Sequence, residues 1–286
     1  CALPIFVMAQ CISPRRKRQK DRMIDFPCGE CGHCLKNRRN SWSYRLQVEL
    51  PFWKSAYFIT LTYSPDNLVL ASHPESGLLY PVLNRDDLQR FFKRLRKRQV
   101  TEFGKDAKMK HFAVGEYGEK FGRPHYHAIV FGLEPKIAGK LDQVWTEGRV
   151  DVGDVNARSI NYVAKYQVNR YEYSHYLVPP FSSISNGIGR RHLEQNRERY
   201  AFSSTVWNPS GFKQAMPRYY RDHLKQPRGE ASIVRKKVLK EMDEKEKHEI
   251  SKLKDKGYPD PLAYVEERAY LNAKRIIETS KDGGML

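Results

Sequence analysis

The sequence predicts an α+β fold in which helices flank an antiparallel sheet. Two observations lead to this prediction. Residues 111–118 and 123–133 have the pattern of two strands of a hairpin, and the local patterns follow in the order strand, helix, strand, strand, helix. A chain of 286 residues is long enough to bury a sizeable core.

Composition divides the chain into three expected domains. Residues 1–50 form a cysteine module followed by a basic helix, and residues 51–175 hold the predicted sheet. Residues 176–286 form a C-terminal extension of aromatic loops and charged helices. The second boundary lies where apolar strands give way to sequence rich in tyrosine, serine and proline.

Each predicted element has a local signal. Residues 56–64, AYFITLTYS, alternate and are rich in aromatic and β-branched residues, which predicts a strand. The apolar spacing after Asn84, with aspartates in the first turn, predicts a helix whose other face is basic. The remaining predictions are a basic loop at 14–22, a helix from Leu35, helices at 136–145 and 159–170, a short strand at 150–155, loops from about 171, and helices within 233–256 and 260–277.

The chain is strongly basic. Lysine and arginine number 51 against 33 aspartates and glutamates, a formal net charge of +18. Such an excess favours a polyanionic partner, nucleic acid before membrane. Aromatic residues, at 12% of the chain, offer rings for base stacking. We expect the basic helix from Asp86 and the aromatic region within 171–220 to contact that partner.

The first twenty residues do not have the order of a secretory signal, because their apolar residues precede the basic cluster. No later apolar run reaches membrane-spanning length. We expect a soluble intracellular protein without a membrane partner. In such a compartment the five cysteines indicate metal ligands or free thiols rather than disulfides.

Three cysteines have the spacing of a metal knuckle. Cys28, Cys31 and Cys34 are separated by two residues each, and glycines between them allow a tight turn. A structural Zn²⁺ site needs one more ligand, which Cys1, Cys11 or His33 can supply. The opposing interpretation is three free thiols.

A second metal site is predicted in the hairpin. His125 and His127 point to the same side of a strand, because side chains alternate along it. The simplest register that closes Gly118 to Arg123 places Glu116 directly opposite His125. Two imidazole nitrogens and a carboxylate oxygen suit Mg²⁺ or Mn²⁺, with Zn²⁺ as the competing ion.

The helix predicted at 159–170 carries two tyrosines one turn apart. Tyr162 and Tyr166 lie on one face of that helix, where tyrosines alone more often pack than react. Beside a metal site in a basic protein, their phenols become candidate nucleophiles for phosphorus. A phenol has a pKa of about 10, so we expect a cation to assist, with Lys165 as the candidate side chain.

These residues resemble a known family. Glu116, RPHYH and YVAKY together are similar to the HUH endonucleases, and FITLTYS resembles the first of that family's three motifs. The likeness extends to the replication initiation proteins of gokushovirus-type microviruses. It rests on PCGECGHC, FITLTYS, FFKRLRKR, GEYG, GRPHYHAIVFG, YVAKY, FSSISNGIG and PRYY in that order, over residues 1–223.

The resemblance implies an HUH nicking domain at 51–175 and a reaction on single-stranded DNA. A divalent cation on Glu116, His125 and His127 would assist a tyrosine that cuts the phage origin and forms a 5′-phosphotyrosine. Host replication machinery would extend the freed 3′-hydroxyl, and the second tyrosine would serve the joining step. The family context implies the cytoplasm of a bacterial host cell, and it makes Cys1 the preferred fourth partner of the three knuckle cysteines.

Two alternatives remain at this point. A non-catalytic, basic zinc-knuckle protein would bind nucleic acid while its histidines and tyrosines only pack or stack. A transposase or plasmid relaxase of the same superfamily would share the chemistry, but the cysteine module and the FSSISNGIG and PRYY segments favour the replication initiator.

Overall fold

The computed structural model describes residues 11–19, 22–118, 122–166, 177–224 and 228–281. The described residues belong to two compact units, one spanning Ser43–His192 and the other combining Cys1–Trp42 with Leu193–Leu286. The predicted division into three domains stays a prediction.

The strands, in chain order, are β1 (Arg15–Gln19), β2 (Arg22–Phe26), β3 (Ala56–Tyr63), β4 (Leu70–Ser72), β5 (Leu79–Pro81), β6 (Lys110–Tyr117), β7 (Pro124–Phe131), β8 (Gly148–Asp154), β9 (Phe181–Ile184), β10 (Thr205–Trp207) and β11 (Lys213–Ala215). The α-helices are α1 (Gly32–Glu49), α2 (Arg85–Phe103), α3 (Pro135–Ala138), α4 (Ala157–Lys165), α5 (Arg190–Gln195), α6 (Arg197–Ala201), α7 (Arg218–Leu224), α8 (Arg228–Asp255) and α9 (Pro261–Lys281). Short 3-10 turns occur at Leu50–Phe52, Pro65–Asn67 and Leu141–Gln143.

A five-stranded antiparallel sheet forms the centre of the Ser43–His192 unit. Its strand order is β8-β3-β7-β6-β9, so the hairpin strands β6 and β7 lie in the interior of the sheet. The predicted α+β class is confirmed: helices flank this sheet, a cysteine cluster lies near the N-terminus, and long helices end the chain.

Helix α2 covers one face of the sheet. The side chain of Asn84 accepts a hydrogen bond from the Asp86 N–H and starts the helix, which ends at Gly104 with a φ of 88°. The apolar face of α2 is buried against alternate residues of β3 and β7, here represented by Leu61 and Tyr126. Since the intervening residues of these strands point the other way, the opposite face is free to carry polar chemistry.

Tyr126, between the two histidines, belongs to the α2 face. Its hydroxyl donates to the Asn84 carbonyl at 2.7 Å and accepts from the Asn84 N–H at 2.9 Å. It also lies 2.8 Å from the Tyr63 hydroxyl, which donates to Asp87 at 2.7 Å. Tyr126 therefore fixes the start of α2, while its neighbours in sequence face the other side of the sheet.

Three local predictions were wrong. The basic loop at 14–22 is part of the β1–β2 ribbon, in which Arg16 and Asp25 are cross-strand partners that form an ion pair at 2.7 Å. The helix at 136–145 is divided into α3 and a 3-10 turn, because Lys140 leaves helical geometry just after Gly139. The apolar spacing there is satisfied by two short turns that bury Ile137, Leu141 and Trp145.

The third wrong prediction concerns the loops after 171. Within the described range 177–224, the chain forms β9, α5, α6, β10, β11 and α7. These elements have three to seven residues each, too short to show a clear period in sequence. The predicted short strand at 150–155 and the two C-terminal helices are confirmed as β8, α8 and α9.

Candidate active site and metal centre

The hairpin register brings the predicted triad together. Glu116 on β6 pairs with His125 on β7, as predicted, and His127 follows two residues later on the same face. One ligand atom from each of the three side chains lies within 4.8 Å of the others. The grouping of Glu116, His125 and His127 in space follows from two strands and one turn.

Both imidazoles are directed at one carboxylate oxygen. Oε1 of Glu116 lies 2.7 Å from Nε2 of His125 and 2.9 Å from Nε2 of His127. The second oxygen, Oε2, is buried and has no hydrogen-bond partner among the residues that the structure describes. A buried, unpaired carboxylate oxygen is costly, so a cation at this point would satisfy a real deficit. The donor set of two nitrogens and one carboxylate fits a divalent ion.

The other ring nitrogens are also held. Nδ1 of His125 lies 3.0 Å from the Arg123 carbonyl, which can only accept, so Nδ1 carries the proton. Nδ1 of His127 lies 3.0 Å from Oγ1 of Thr60. Partners at Nδ1 orient each ring and leave the Nε2 lone pair available to a metal.

Burial and the shared carboxylate set the charges of the triad. Burial would raise the pKa of Glu116, but hydrogen bonds from His125 and His127 outweigh it and lower that pKa. Burial would lower the pKa of His125, yet the adjacent Glu116 raises it. At His127 burial dominates and lowers the pKa. The site thus favours an ionised carboxylate and a neutral His127, which are the ligand forms that a metal needs.

Tyr162 contacts the triad directly. Its hydroxyl donates to Oε1 of Glu116 at 3.3 Å and lies 3.3 Å from Nε2 of His127. The residue is 39% exposed, so the phenol lies at the rim of the site rather than in a core. The ring of Tyr166 is stacked on His127 with centroids 6.2 Å apart, and the two tyrosine rings are 5.1 Å apart. Both predicted tyrosines are therefore adjacent to the triad.

Helix α4 presents these tyrosines from a fixed position. Asn156 and Ser159 form a reciprocal capping box at its start. Ile160 and Val163 are fully buried, which turns the Tyr162 face towards the site. From α1, Ser43 donates a hydrogen bond to the Asn161 side chain at 2.6 Å. Residues 167–170, which complete the predicted helix, lie outside the described residues.

Lys165 is the last residue of α4 and is half-buried. None of the contacts described for the chain joins Lys165 to the triad, so its assistance to a tyrosine stays a prediction. The cations of α2 are separated from the triad by the sheet, because α2 packs on the opposite face. The expectation that α2 contacts nucleic acid therefore concerns a different surface from the one that carries the triad.

Two neighbours of the site were not predicted as site residues. Phe58 stacks on His127 with ring centroids 5.6 Å apart and contacts the edge of Tyr162 at 6.2 Å. Thr60 holds Nδ1 of His127, as described above. Both lie on the Thr60 face of the FITLTYS strand, so alternation gave a signal. Only the pairing of β3 with β7 shows that this face meets the histidines.

The cysteine cluster is also assembled, with one unexpected member. Cys11, Cys28, Cys31 and Cys34 have sulfur atoms within 4.8 Å of one another. Cys1, which the resemblance favoured as fourth ligand, lies outside the described residues. His33, the other candidate, directs Nε2 to the Ala269 carbonyl at 3.1 Å. No helix in the described ranges has both the length and the apolar character needed to cross a membrane.

Comparison with known proteins adds an independent finding. A family model of replication-associated proteins of the ORF2 type matches residues 56–170. This range begins at β3 and includes the triad and both tyrosines. The match therefore covers the part of the chain in which the geometry converges.

Three curated phage proteins are similar to this chain over a longer range. Replication-associated protein VP4 of Bdellovibrio phage phiMH2K is 28% identical over 222 residues, which cover 70% of this chain and 67% of that protein. Replication-associated protein ORF4 of Chlamydia phage 1 is 29% identical over 232 residues, covering 72% and 55% respectively. Replication-associated protein ORF2 of Spiroplasma virus 4 is 28% identical over 217 residues, covering 68% and 66%. The matched region thus spans between about half and two thirds of each relative's length.

Proposed function

Because the chain belongs to the family of phage replication-associated proteins, we propose that it initiates rolling-circle replication by cutting and rejoining single-stranded DNA. Cutting takes place at the phage origin and leaves the enzyme joined to DNA through a 5′-phosphotyrosine. The chain is then an HUH-type endonuclease with strand-transfer activity. Host replication machinery, in the cytoplasm of the bacterial host, extends the DNA end that the cut releases.

The position of Tyr162 is the observation that supports this proposal. Its hydroxyl is 3.3 Å from both a carboxylate oxygen of Glu116 and Nε2 of His127. A tyrosine that only packs would be enclosed by apolar neighbours, whereas this phenol is partly exposed beside three metal-binding groups. The non-catalytic alternative gives no reason for this arrangement.

The chemistry is a transesterification at phosphorus. The phenolic oxygen forms a bond to phosphorus as its proton leaves, and the bond from phosphorus to the 3′ oxygen of the preceding nucleotide breaks. The released oxygen takes a proton and becomes a 3′-hydroxyl. Glu116, which already accepts a hydrogen bond from Tyr162, orients the phenol for this attack.

A divalent ion of the Mg²⁺ or Mn²⁺ class, held by Glu116, His125 and His127, would supply positive charge to a phosphate oxygen. The protein contributes the placement of both tyrosines. Tyr166 lies one turn beyond Tyr162, so a second phenol is close to the same triad when the origin is cut again. Joining reverses the first reaction, as the free 3′-hydroxyl attacks the phosphotyrosine.

Covalent-adduct mapping tests the proposal. Purified protein is incubated with Mn²⁺ and single-stranded circular phage DNA, then digested, and the tyrosine that carries a nucleotide is identified by mass spectrometry. We expect the 5′ end on Tyr162 or Tyr166. The double variant Tyr162→Phe/Tyr166→Phe should form no adduct and still bind DNA, because it lacks only two hydroxyls.

The exposed tyrosine of the C-terminal helix α9 provides the control. Tyr270→Phe removes the same atom at a position that is 57% exposed, and it should form the adduct at the rate of the wild type. An adduct that persists in the double variant would refute the assignment of the nucleophiles. Binding without any adduct in the wild type, with Mn²⁺ or Mg²⁺ present, would favour the non-catalytic alternative.

A further inference from the structure

Four cysteine sulfurs converge near the N-terminus, in a region that contains none of the residues proposed for catalysis. The Sγ atoms of Cys28 and Cys34 are 3.9 Å apart, and the four cysteines of the cluster are free rather than disulfide-bonded. Four thiolates around one Zn²⁺ at about 2.3 Å have sulfur–sulfur separations of about 3.8 Å. The observed cluster therefore has the dimensions of a tetrahedral metal site.

The backbone around Cys28 provides a second, independent observation. The N–H groups of Glu30 and Cys31 donate to Sγ of Cys28 at 3.4 and 3.2 Å. The N–H of Cys28 itself donates to Sγ of Cys11 at 3.3 Å. Gly29, with a φ of 79°, allows the turn that directs these groups inward. Hydrogen bonds to sulfur favour the charged thiolate, which is the form that binds metal.

We propose that Cys11, Cys28, Cys31 and Cys34 bind one Zn²⁺ as a closed tetrathiolate site. The four thiols release their protons to solvent as the sulfur–zinc bonds form, and no oxidation is involved. Zinc suits the site because four protein ligands complete its tetrahedral shell and leave no position for a substrate. The site is structural, and it is distinct from the divalent-ion site at Glu116.

The zinc would tie the ribbon β1–β2 to the start of α1. Cys11 precedes the ribbon, Cys28 follows it, and Cys34 lies in the first turn of the helix. The ribbon is rich in charge, and Arg15, Lys17 and Arg18 are exposed, so apolar burial contributes little to its stability. The start of α1 is itself fixed, since a Cβ on Gly32 would lie 2.1 Å from the Ala273 carbonyl oxygen. A metal at the base of the ribbon then replaces the core that the ribbon lacks.

Cobalt substitution distinguishes this site from the triad. Co²⁺ is titrated into metal-free, reduced full-length protein, and the near-ultraviolet charge-transfer band of thiolate–Co²⁺ bonds is followed. The triad contains no sulfur and cannot produce this band. We expect saturation at one Co²⁺ per chain, and stoichiometric displacement by Zn²⁺.

Matched cysteine variants identify the fourth ligand. Cys11→Ser should lose the band, whereas Cys1→Ser, the matched control, should retain it. The opposite result would assign the ligand to Cys1 and overturn our proposal, as would an iron–sulfur spectrum or a disulfide found by thiol counting under non-reducing conditions. Absence of the thiolate band in the wild type would also overturn it.

Proteolysis gives a readout that does not depend on variants that must fold. The ribbon contains several lysine and arginine residues between Cys11 and Cys28, and each is a trypsin site. Removal of zinc by a chelator should release the base of the ribbon and accelerate trypsin cleavage there by about tenfold or more, with restoration by added Zn²⁺. Cleavage in this segment at the same rate with and without zinc would contradict the proposed role.

Discussion

Thr60 and His127 are cross-strand partners on β3 and β7, and Oγ1 of Thr60 lies 3.0 Å from Nδ1 of His127. Nε2 of the same imidazole is 2.9 Å from Glu116 and 3.3 Å from the Tyr162 hydroxyl. A hydroxyl on a central strand thus orients the ring that contacts both the carboxylate and the proposed nucleophile. The function of the site depends on a residue that touches neither.

The first prediction concerns this hydroxyl. Thr60→Val keeps the shape of the side chain and removes the partner of Nδ1, so His127 loses its fixed orientation. We expect Mn²⁺ affinity and the rate of adduct formation to fall by roughly 10- to 100-fold. Both are measured on the same preparation, by calorimetric titration and by gel assay of the covalent complex.

Thr62→Val is the control, because Thr62 lies on the same strand and the same face, opposite His125. It removes an equivalent hydroxyl two residues away and should change both measurements by less than about threefold. Equal losses in the two variants would show that the strand, rather than the bond from Thr60 to His127, determines the effect.

Local geometry explains which site residues could be predicted from sequence. The short connection between Gly118 and Arg123 fixes the register of the hairpin, and this register alone places Glu116 opposite His125. The period of a helix places Tyr162 and Tyr166 on one face. Both relationships span fewer than about a dozen residues, a range over which turn length and helix period determine what meets what.

Contacts between distant segments could not be predicted in this way. Thr60 meets His127 because β3 pairs with β7, and nothing in the spacing of these strands sets that register. Cys11 reaches the other cysteines only after a charged ribbon folds back, and the ribbon has no apolar alternation to announce it. The FSSI segment is the edge strand β9 beside β6, a place that its four residues do not reveal.

The second prediction concerns metal binding by the triad. Addition of Mn²⁺ should raise the midpoint of thermal unfolding of the wild type, because an ion bound only by the folded state stabilises it by about 2.7 kcal/mol at a hundredfold excess over Kd. Glu116→Gln should abolish this rise, since it removes the ionised carboxylate. Glu75→Gln, an exposed loop position, should leave it intact. A full Mn²⁺ response in Glu116→Gln would exclude this carboxylate as a ligand.

The third prediction concerns a buried ion pair that supports the segment after β9. Glu49 is fully buried, and its Oε1 lies 2.8 Å from Nζ of Lys110. Its Oε2 accepts a hydrogen bond from the Gly189 N–H at 2.6 Å. Glu49→Ala would leave the lysine and this N–H without their partner, so we expect a loss of about 3–5 kcal/mol in the free energy of unfolding, measured in urea.

The exposed pair of Arg98 and Glu102 on α2 serves as the comparison for this prediction. Glu102→Ala breaks an ion pair that water screens, and it should cost no more than about 0.5 kcal/mol. If the two glutamate variants lost similar free energy, burial would not be the source of the stabilisation at Glu49.

The fourth prediction concerns pH and stability. His111 is buried against Phe92 of α2, with ring centroids 3.7 Å apart, and its nitrogens lie 3.0 Å from the hydroxyls of Ser183 and Ser185. Burial, and then the charge of Arg96, lower the pKa of His111 to about 3. The unfolded chain, with an ordinary histidine pKa of about 6.5, therefore binds a proton that the folded chain refuses between these values. The contribution of His111 to stability is complete above pH 6.5 and is lost progressively as the pH falls towards 3.

At pH 5.5, one unit below the unfolded pKa, this residue alone should cost about 1.4 kcal/mol of stability relative to pH 7.5. His111→Gln keeps a polar side chain near the serines but cannot titrate, so its free energy of unfolding should fall less over this interval, by about that amount. Urea unfolding of both proteins at the two pH values measures the difference, and the shared titration of all other groups cancels in the comparison. Equal losses in the two proteins would mean that His111 accepts a proton in the folded state, which would contradict its burial beside a guanidinium.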